Sequence, residues 1–303
     1  MSDAVVEARG LRKSYGAFEA LKGIDLTVRK GEVFCLLGPN GAGKTTTIEI
    51  LEGHRNRDSG DVSVLGYDPS RDQRALRQCI GIVLQSAAVE RFLTVDEVVE
   101  LFRGYYPHPH PLDETLRLVG LEDKRKSLVR RLSGGQVRRL DMALALAGDP
   151  DLLFLDEPTA GFDPAARRGA WEVIQRLQAL GKTILLTTHN MEEAERLADH
   201  LAILVAGEIV KEGSVADLRR EHADTTISFL LPQIPLPDRL QSICRLHDGR
   251  ISMETQEPTR SLHELTTWAS ETGIELDDLR VAPISLEEIY LRLAGAEALE
   301  TRE

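Results

Sequence analysis

The amino-acid sequence predicts an α/β fold with a parallel sheet at its centre. Short apolar runs alternate with segments of helical periodicity, which is the pattern of βαβ units. Four of these runs, 33–37, 80–84, 152–155 and 184–188, lack polar alternation and are predicted to be buried central strands. A polar residue or a glycine-rich loop follows each of them. Because open parallel sheets bind ligands outside the carboxyl ends of their strands, these segments predict one active site at one sheet edge.

Two regions of the chain depart from the parallel pattern. Residues 23–31 alternate between apolar and polar side chains, so we predict an antiparallel strand near a sheet edge, part of an antiparallel β subdomain. From about residue 86 to 145 the sequence is mostly helical, which predicts a helical subdomain inserted into the sheet domain. Three aromatic residues there, Phe102, Tyr105 and Tyr106, leave two interpretations open: a partner-docking surface or the core of the subdomain.

The distribution of motifs divides the chain into two domains. The glycine motifs lie within residues 1–220, whereas residues 221–303 predict a small accessory α+β lobe. Its expected strands are "TTISFLL", "GRISMET" and "LDDLRVAP", and its expected helices lie around residues 236–246 and 260–271. A capping-box pattern that begins at Ser285 predicts a closing helix.

Composition and charge limit the kinds of ligand that the protein can bind. The 303 residues are 42% hydrophobic, which is ordinary for a globular protein with a sizeable core. Lys and Arg number 37 against 49 Asp and Glu, which gives a net charge of −12. Because this charge repels polyanions at long range, we expect no nucleic acid as the main ligand, and any anion site must be local.

Cysteine usage and hydropathy indicate the compartment. The three cysteines, Cys35, Cys79 and Cys244, are far apart and outside any CxxC spacing, so we expect neither a disulfide framework nor a zinc site. A reduced, cytoplasmic compartment fits this usage. The sequence opens without the pattern of a signal peptide, and no apolar run approaches the roughly 18 residues of a membrane span, so we expect neither feature.

The segment "GPNGAGKT" matches the phosphate-binding consensus G-x-x-x-x-G-K-[ST] and follows the first buried run. Its glycines let backbone N–H groups converge on a β-phosphate, and a helix beginning near Gly43 directs its positive end at the same anion. Lys44 would reach the β and γ oxygens, and the Thr45 hydroxyl would ligate Mg²⁺. The motif therefore predicts a P-loop NTPase core. Its expected nucleotide-binding residues are Gly38, Pro39, Asn40, Gly41, Ala42, Gly43, Lys44, Thr45 and Thr46.

Two adjacent carboxylates follow the third buried run. Asp156, at the strand end, would hold Mg²⁺ through water. Glu157 is expected to point elsewhere, because consecutive strand side chains face opposite ways. This division makes Glu157 the candidate to orient and deprotonate an attacking water. Acids at strand ends often only cap a following helix, but the intact glycine-rich loop favours the catalytic interpretation.

Three further residues are candidates because of where they lie in the sequence. Gln85 follows the run at 80–84, and its amide can contact Mg²⁺ or the lytic water and then release it. His189 follows the run at 184–188 and can donate to a γ-phosphate oxygen, so it can report whether that phosphate is present. Tyr15, in "KSYG", could stack on adenine.

A second candidate phosphate cradle is "LSGGQ", residues 132–136. Ser133 and Gln136 have capping-box spacing and an apolar face follows, so a helix starts here. Gly134 and Gly135 each cost up to about 1 kcal/mol in a helix relative to Ala. That cost indicates that a backbone must approach something closely, and a phosphate is the natural candidate.

Five motifs, taken in order, resemble the ATP-binding subunit of an ABC transporter. They are Gln85 at its expected place, "GPNGAGKTT", "LSGGQVRR", "DLLFLDEPTAGFDP" and "ILLTTHNMEEAERL", and the resemblance covers residue 4 to about 218. It implies an ATPase with ATP and Mg²⁺ as cofactors. It also implies a head-to-tail sandwich with a second copy of the chain or a paralogous cassette, in which the LSGGQ of one closes on the ATP held by the other. A membrane-spanning permease is the further partner implied.

The resemblance also implies roles for single residues. Tyr15 would stack on adenine, Glu157 would be the general base, and His189 would be the switch that senses the γ-phosphate. Lys44 and the metal ligands Thr45, Gln85 and Asp156 keep the roles inferred from their own motifs. Across the dimer, Ser133 and Gly135 would contact the partner's γ-phosphate, and Asp163 would be the aspartate of the dimer-contact loop. Gly134 and Gln136 are further expected nucleotide-binding residues of this cradle.

Two segments indicate a subclass of this family. The closing "ISLEEIYLRLAG" and the "ILEGHRNRDSG" after the glycine-rich loop are similar to those of cassettes that serve drug, antibiotic and polysaccharide exporters. We therefore expect a cytoplasmic ATPase held at the inner face of the cell membrane by its permease. Phe162 stands where leucine is usual, which bears on packing at the dimer seam. The alternatives are a non-transport ABC ATPase and a regulatory module that binds ATP without turnover.

Overall fold

The structure, a computed structural model, describes residues 3–83, 90–221, 225–230, 236, 244–247 and 249–292. It divides into two compact units, Met1–Ser214 and Val215–Glu303. The elements of the first unit, in chain order, are β1 (Ala4–Tyr15), β2 (Phe18–Arg29), β3 (Val33–Leu37), α1 (Lys44–Leu51), β4 (Ser59–Val64), α2 (Gln73–Leu76), β5 (Ile80–Val83), α3 (Val95–Arg103), α4 (Leu112–Val119), α5 (Gly134–Ala145), β6 (Leu152–Asp156), α6 (Pro164–Ala179), β7 (Thr183–Thr188), α7 (Met191–Leu197), β8 (His200–Val205) and β9 (Glu208–Gly213).

The centre of the first unit is a six-stranded sheet in the order β5-β6-β7-β3-β8-β9. Its first five strands run parallel, and β9 pairs antiparallel with β8. Every residue of β3, β6 and β7 is buried, because neighbouring strands pair with both edges and other elements cover both faces. The predicted α/β fold is confirmed, and so is the prediction of buried central strands for these three runs.

For β5 the expected burial is confirmed for three of its four residues, but the expected central position is wrong: among the described residues this strand lies at the edge of the sheet and pairs with β6 alone. A covering helix buries this strand in place of a second neighbour. A Cβ atom built on Gly81 would lie 2.3 Å from the Ala145 carbonyl oxygen, so α5 packs directly against the strand backbone. An apolar run shows that a strand is buried, but it does not show whether a strand or a helix covers it.

A three-stranded antiparallel sheet, in the order β2-β1-β4, forms the second layer of this unit. The alternation expected in β2 is confirmed, since Ile24, Leu26 and Val28 are buried and the residues between them are exposed. β2 is an edge strand, as predicted. One hydrophobic core joins the two sheets, with Leu26 from this sheet and Phe34 and Phe154 from the larger one.

The predicted helical subdomain lies between β5 and β6 and contains α3, α4 and α5. The structure places the aromatic residues of this subdomain in different surroundings, and the partner-docking interpretation stays a prediction. Tyr106 is partly buried and packs against Gly148, where a Cβ atom would lie 2.4 Å from its ring. Tyr105 is 67% exposed and stands edge-on to Phe102, with ring centroids 6.0 Å apart. The subdomain therefore has both a packed aromatic side chain and an exposed one.

The second unit is an α+β lobe. Its elements are α8 (Val215–Glu221), β10 (Thr225–Leu230), β11 (Cys244–His247), β12 (Arg250–Thr255), α9 (Pro258–Thr272), β13 (Arg280–Pro283) and α10 (residues 286–292). The strands form a four-stranded antiparallel sheet in the order β11-β12-β10-β13. Helix α9 packs its apolar face on this sheet, and Ile227, Phe229 and Leu265 are among the buried core residues.

Sequence reasoning was partly right about this lobe. The three expected strands and the helix at 260–271 are present, and Ser285 caps α10 in the predicted way, with its N–H donating to Glu288 Oε2 at 2.9 Å. The helix expected at 236–246 is wrong from Cys244 onward, where the chain forms β11 and pairs with β12. Most of residues 236–243 lie outside the described part of the chain.

None of the helices that the structure describes combines the length and the apolar character required to cross a bilayer.

Gly81 gives a test of how α5 buries β5. We expect Gly81→Ala to destabilise the protein by about 1–3 kcal/mol, because its new methyl group would overlap a backbone carbonyl and force α5 away from the sheet. The matched control is Gly104→Ala at the end of α3, where the nearest atom would be 3.3 Å away and φ is −61°. Urea unfolding of both variants checks the prediction, and equal stability of the two would contradict it.

Candidate functional site

The loop from Gly38 to Thr45 connects β3 to α1 at the carboxyl edge of the large sheet. Two of its glycines are required by close approach: a Cβ atom would lie 2.2 Å from the Leu204 carbonyl oxygen at Gly38, and 2.7 Å from that of Ala20 at Gly43. Gly41 instead has a φ of 83° in open space, so its conformation favours glycine. Pro39, Asn40 and Ala42 complete the turn, and α1 begins at Lys44 as predicted.

Lys44 is a buried cation at the centre of this loop, with 5% of its surface exposed. Its ammonium donates to the carbonyl oxygens of Gly38 at 2.8 Å and Pro39 at 3.0 Å. It also lies 3.4 Å from Glu157 Oε1. Two carbonyls and one carboxylate therefore hold the positive charge at the point where the loop turns into the helix. An anion that enters the loop meets a cation that is already oriented.

Asp156 ends β6 and faces the start of α1. Its Oδ2 accepts from the Thr45 hydroxyl at 3.4 Å, and its Oδ1 accepts from the Thr187 hydroxyl at 2.5 Å. Thr187 is fully buried on the neighbouring strand β7. The hydroxyl and carboxylate oxygens of Thr45 and Asp156 form a donor set of the kind that Mg²⁺ prefers. Two of the three residues expected to hold that ion, Thr45 and Asp156, are therefore adjacent.

Glu157 does not continue the strand. Its φ of 45° is left-handed, and its N–H donates to the Thr187 carbonyl oxygen at 3.2 Å and to the hydroxyl at 3.1 Å. The expectation that Glu157 points away from the Asp156 side of the site is wrong, because strand alternation stops at this turn. Both carboxylates contact the start of α1, Asp156 through Thr45 and Glu157 through Lys44.

His189 and Tyr15 lie beside this loop from two directions. His189 follows β7, is half exposed, and places Nδ1 3.2 Å from Glu157 Oε1. The Tyr15 hydroxyl lies 3.4 Å from the Thr46 hydroxyl, and the Arg55 guanidinium stands 5.1 Å from the Tyr15 ring centroid. A cavity of about 380 Å³ extends along the loop from Tyr15 to Glu157. Tyr15, Thr46 and Glu157 therefore share one cavity with the loop residues Asn40, Gly41, Gly43, Lys44 and Thr45.

The second cradle forms the amino end of α5. Ser133 and Gln136 make the predicted capping box: Ser133 N–H donates to Gln136 Oε1 at 3.0 Å, and Gln136 N–H donates to Ser133 Oγ at 3.3 Å. Gly135 is close to α6, since a Cβ atom there would lie 3.2 Å from Ala166 Cβ. A Cβ atom on Gly134 would meet nothing within 4 Å. The packing of this chain therefore accounts for one glycine and leaves the other open.

Asp163 shares a separate cavity of about 580 Å³ with this cradle. Its Oδ1 accepts from the N–H groups of Ala165 and Ala166, both at 2.9 Å, so Asp163 caps α6. Phe162 lines the same cavity. No residue lines both this cavity and the one along the phosphate loop, among the residues the structure describes.

Sequence reasoning missed the residues that support the site. Thr187 was assigned only to a strand, although its hydroxyl bridges the two carboxylate residues. Glu193 is buried, and its Oε1 accepts from Thr159 Oγ1 at 2.7 Å and Trp171 Nε1 at 3.0 Å, which ties α7 to the loop after Glu157. A carboxylate four residues after His189 was the available signal. Gln85 lies outside the described residues.

Comparison with protein families gives two matches. A family described as ABC transporter matches residues 21–160, and a family described as ABC transporter domain-containing protein-like, C-terminal domain matches residues 225–285. Among solved structures, the ADP conformation of the ATP-binding cassette MJ1267 of an ABC transporter aligns with a TM-score of 0.63 at 26% identity, over 71% of this chain and 92% of that chain. The dimeric post-hydrolysis state of the ATP-binding cassette MJ0796, bound to ADP and Pi, aligns with a TM-score of 0.62 at 27% identity, over 69% and 98%.

Two curated relatives match over nearly the whole chain. The daunorubicin resistance ATP-binding protein DrrA3 of Streptomyces coeruleorubidus is 35% identical over 97% of this chain and 97% of its own length. The Nod factor export ATP-binding protein I of Rhizobium sp. (strain N33) is 38% identical over 98% of this chain and 99% of its own. With a phosphate loop, paired strand-end carboxylates and a second cradle in place, the chain belongs to the ATP-binding subunits of ABC transporters and is an ATPase of that family.

Proposed function

We propose that the chain closes head-to-tail with a second copy, or with a paralogous cassette, around two ATP molecules and so drives export through a separate permease. The observation that supports this most strongly is the separation of the two cradles. The phosphate loop and the LSGGQ segment line different cavities of one chain, and no lining residue is common to both among those described. A nucleotide held by the loop thus needs the second cradle of another chain to be enclosed on both sides.

Within one chain, the cavity along the phosphate loop supports a simple orientation of ATP. Adenine stacks on Tyr15, whose ring Thr46 and Arg55 hold in place, and the phosphates follow the loop from residue 40 to the start of α1. The ammonium of Lys44 neutralises the β and γ oxygens. Mg²⁺, when bound, neutralises the phosphate charge further, with Thr45, Asp156 and Gln85 as its proposed protein ligands.

Entry of ATP explains how Glu157 becomes a base. In this structure Glu157 Oε1 lies 3.4 Å from Lys44 Nζ and 3.2 Å from His189 Nδ1. A γ-phosphate is a second anion that competes for Lys44, so nucleotide binding weakens the ion pair and leaves the Glu157 carboxylate able to take a proton from water. His189 lies within hydrogen-bonding reach of the Glu157 carboxylate and acts as the proposed γ-phosphate switch.

The second cradle completes the site of the partner. Ser133 and Gly135 contact the partner's γ-phosphate, with α5 directing its positive end at the same charge. Gly134, whose missing side chain faces open space, lets that phosphate approach the backbone. Gln136 holds Ser133 through the capping box, and Asp163 contacts the partner from the same cavity.

The direction of transport comes from the relatives. One is a daunorubicin resistance protein and the other a Nod factor export protein, and both are ATP-binding subunits. We therefore propose an exporter in which this chain works in the cytoplasm, against a membrane-spanning permease. Residues 221–303 are proposed as an accessory lobe outside the ATP-binding domain, residues 1–220. The exposed Tyr105 of the helical subdomain is a side chain that a permease could cover.

The proposed base is tested by Glu157→Gln. We expect turnover of ATP to fall by about 10² to 10⁴, because the amide cannot accept the proton of water, while ATP binding persists. The matched control is Glu172→Gln, an exposed acid on α6 that lies outside both cavities. Phosphate release and equilibrium ATP binding are measured for both variants. Hydrolysis by Glu157→Gln within threefold of the unmodified chain would remove Glu157 from this role.

The role of Asp156 in binding Mg²⁺ is tested through Thr187. We expect Thr187→Val to raise the Mg²⁺ concentration for half-maximal hydrolysis by about 10-fold or more, because Asp156 loses the hydroxyl that orients it. The matched control is Thr183→Val, a buried threonine at the start of the same strand whose hydroxyl accepts from Gly31 N–H at 2.9 Å. A Mg²⁺ titration of both variants at saturating ATP decides, and equal midpoints would contradict the assignment.

The trans arrangement is tested by a disulfide between the two cradles. The background replaces Cys35, Cys79 and Cys244 and adds Glu157→Gln, so that bound ATP holds any sandwich closed. Cysteines at Asn40 and Ser133 can join only when their Cα atoms come within about 4.4 to 6.8 Å. We expect an ATP-dependent covalent dimer on a non-reducing gel.

The position of the cross-linked band separates the two possible arrangements. A cross-link confined to the monomer band would mean that both cradles grip the ATP of the same chain. That outcome would overturn the sandwich dimer and favour a nucleotide-binding regulatory module.

A further inference from the structure

Arg138 connects the helix that carries the second cradle to the turn that carries Glu157. It lies on α5, five residues after Ser133, and its side chain is 6% exposed. Its Nε donates to the Pro158 carbonyl oxygen at 3.1 Å, and its Nη2 donates to those of Asp156 at 3.1 Å and Glu157 at 3.5 Å. One guanidinium therefore contacts three successive carbonyls of the strand-end turn.

Burying the charged Arg138 side chain is an energetically unfavourable way to hold α5 against the sheet. Burial lowers the pKa of the Arg138 guanidinium, and its ion pair with Asp141 spans 3.7 Å. Burial also raises the pKa of the Asp141 carboxyl to about 6, and no described residue offers a hydrogen bond to its Oδ1. Because apolar side chains often replace such buried pairs without loss of stability, stability alone does not account for Arg138.

The turn that Arg138 holds is itself strained. Glu157 has a φ of 45°, a left-handed conformation that is unfavourable for a non-glycine residue. Thr187 holds this turn from β7 through the Glu157 N–H, and Arg138 holds it from α5 through the carbonyls. A shift of α5 is therefore transmitted to the backbone of Glu157 by the Arg138 guanidinium, which is planar and holds its five donors in a fixed arrangement.

In the proposed dimer, the two ends of the connection through Arg138 lie at the binding sites of two different nucleotides. The amino end of α5 opens into the cavity of the second cradle, which would close on the partner's ATP. Glu157 lies in the cavity along the phosphate loop and would act on the ATP of its own chain. Arg138 lies inside the protein between the two and lines neither cavity.

We propose that Arg138 is a positioning residue that couples the two ATP sites. Closure of the second cradle on the partner's nucleotide moves α5, and Arg138 carries that movement to Glu157, so one chain hydrolyses its ATP efficiently only when it grips the other. This inference rests on the sandwich dimer of the proposed function. Coupling of two sites in this way produces positive cooperativity, with a Hill coefficient that can approach the number of sites.

The test measures ATP hydrolysis by the full chain as a function of ATP concentration. For Arg138→Met we expect kcat to fall by about 10-fold or more, because a displacement of about 1 Å at a reacting group can cost 10²-fold. We expect the Hill coefficient to fall from above about 1.5 toward 1. ATP binding to the monomer should stay within about twofold, since Arg138 lines neither cavity.

Two further variants separate coupling from simple support of the fold. Arg138→Lys keeps a buried cation but loses the planar fork, so we expect it to fold and yet to lose cooperativity. Asp141→Asn removes the ion pair and leaves the bonds from Arg138 to the turn, so we expect the Hill coefficient of the unmodified chain. If Arg138→Met does not fold, the lysine variant gives the result.

The outcomes distinguish this inference from the function on which it rests. Three results together would overturn the coupling role alone: cooperative hydrolysis by the unmodified chain, the cross-link between positions 40 and 133 in the cysteine-replaced background, and the same kcat and Hill coefficient in both Arg138 variants. Loss of cooperativity in Asp141→Asn equal to that in Arg138→Lys would also overturn it, because the ion pair and not the turn would then be responsible. A chain with neither cooperativity nor the cross-link would overturn the dimer and the inference together.

Discussion

The parallel register of β3, β6 and β7 is the constraint on which the site depends. Leu37 pairs with Thr188, and Asp156 pairs with Thr187, so the three strands end at one level. Whatever follows each strand is therefore delivered to the same edge, although β3 lies more than a hundred residues before β6 and β7 in the sequence. This register brings together the phosphate loop, the paired carboxylates and the histidine, and it does not require direct contacts between them.

Thr187 shows how this register becomes local chemistry. Its hydroxyl donates to the Asp156 carboxylate and accepts from the Glu157 N–H, so a single side chain on β7 orients two acidic residues that follow β6. The hydroxyl can do both because it has one hydrogen and two lone pairs. Asp156 then stays in line with the strand while Glu157 turns away from it into a left-handed conformation. Two adjacent carboxylates thereby acquire different surroundings.

The electrostatics of the site are local in a protein of net charge −12. Lys44 is buried, and its partners are two loop carbonyls and one carboxylate that an incoming phosphate can replace. Screening by solvent is weak for such a buried group, so its attraction for an anion outweighs the unfavourable charge of the whole chain at short range. An acidic protein can in this way bind a polyphosphate in one cavity.

Sequence alone determined the features that rest on local physics. The alternation in β2 and the capping box at Ser133 depend on the spacing of residues a few positions apart, so periodicity and spacing predicted them. The central position of β3, β6 and β7 was predictable as well, because strands paired on both sides lose polar alternation. The candidate site at the end of these strands followed from their order.

Tertiary structure decided the features that depend on distant partners. β5 is buried at a sheet edge because α5 covers it. Residues 244–247 form the strand β11 because β12 pairs with them. Strand alternation gave the wrong direction for Glu157, since the hydrogen bonds that hold its left-handed turn come from Thr187 and Arg138, 30 and 19 positions away. The windows of about 11–18 residues in which periodicity is judged do not contain both ends of those bonds, and only the packed sheet brings them together.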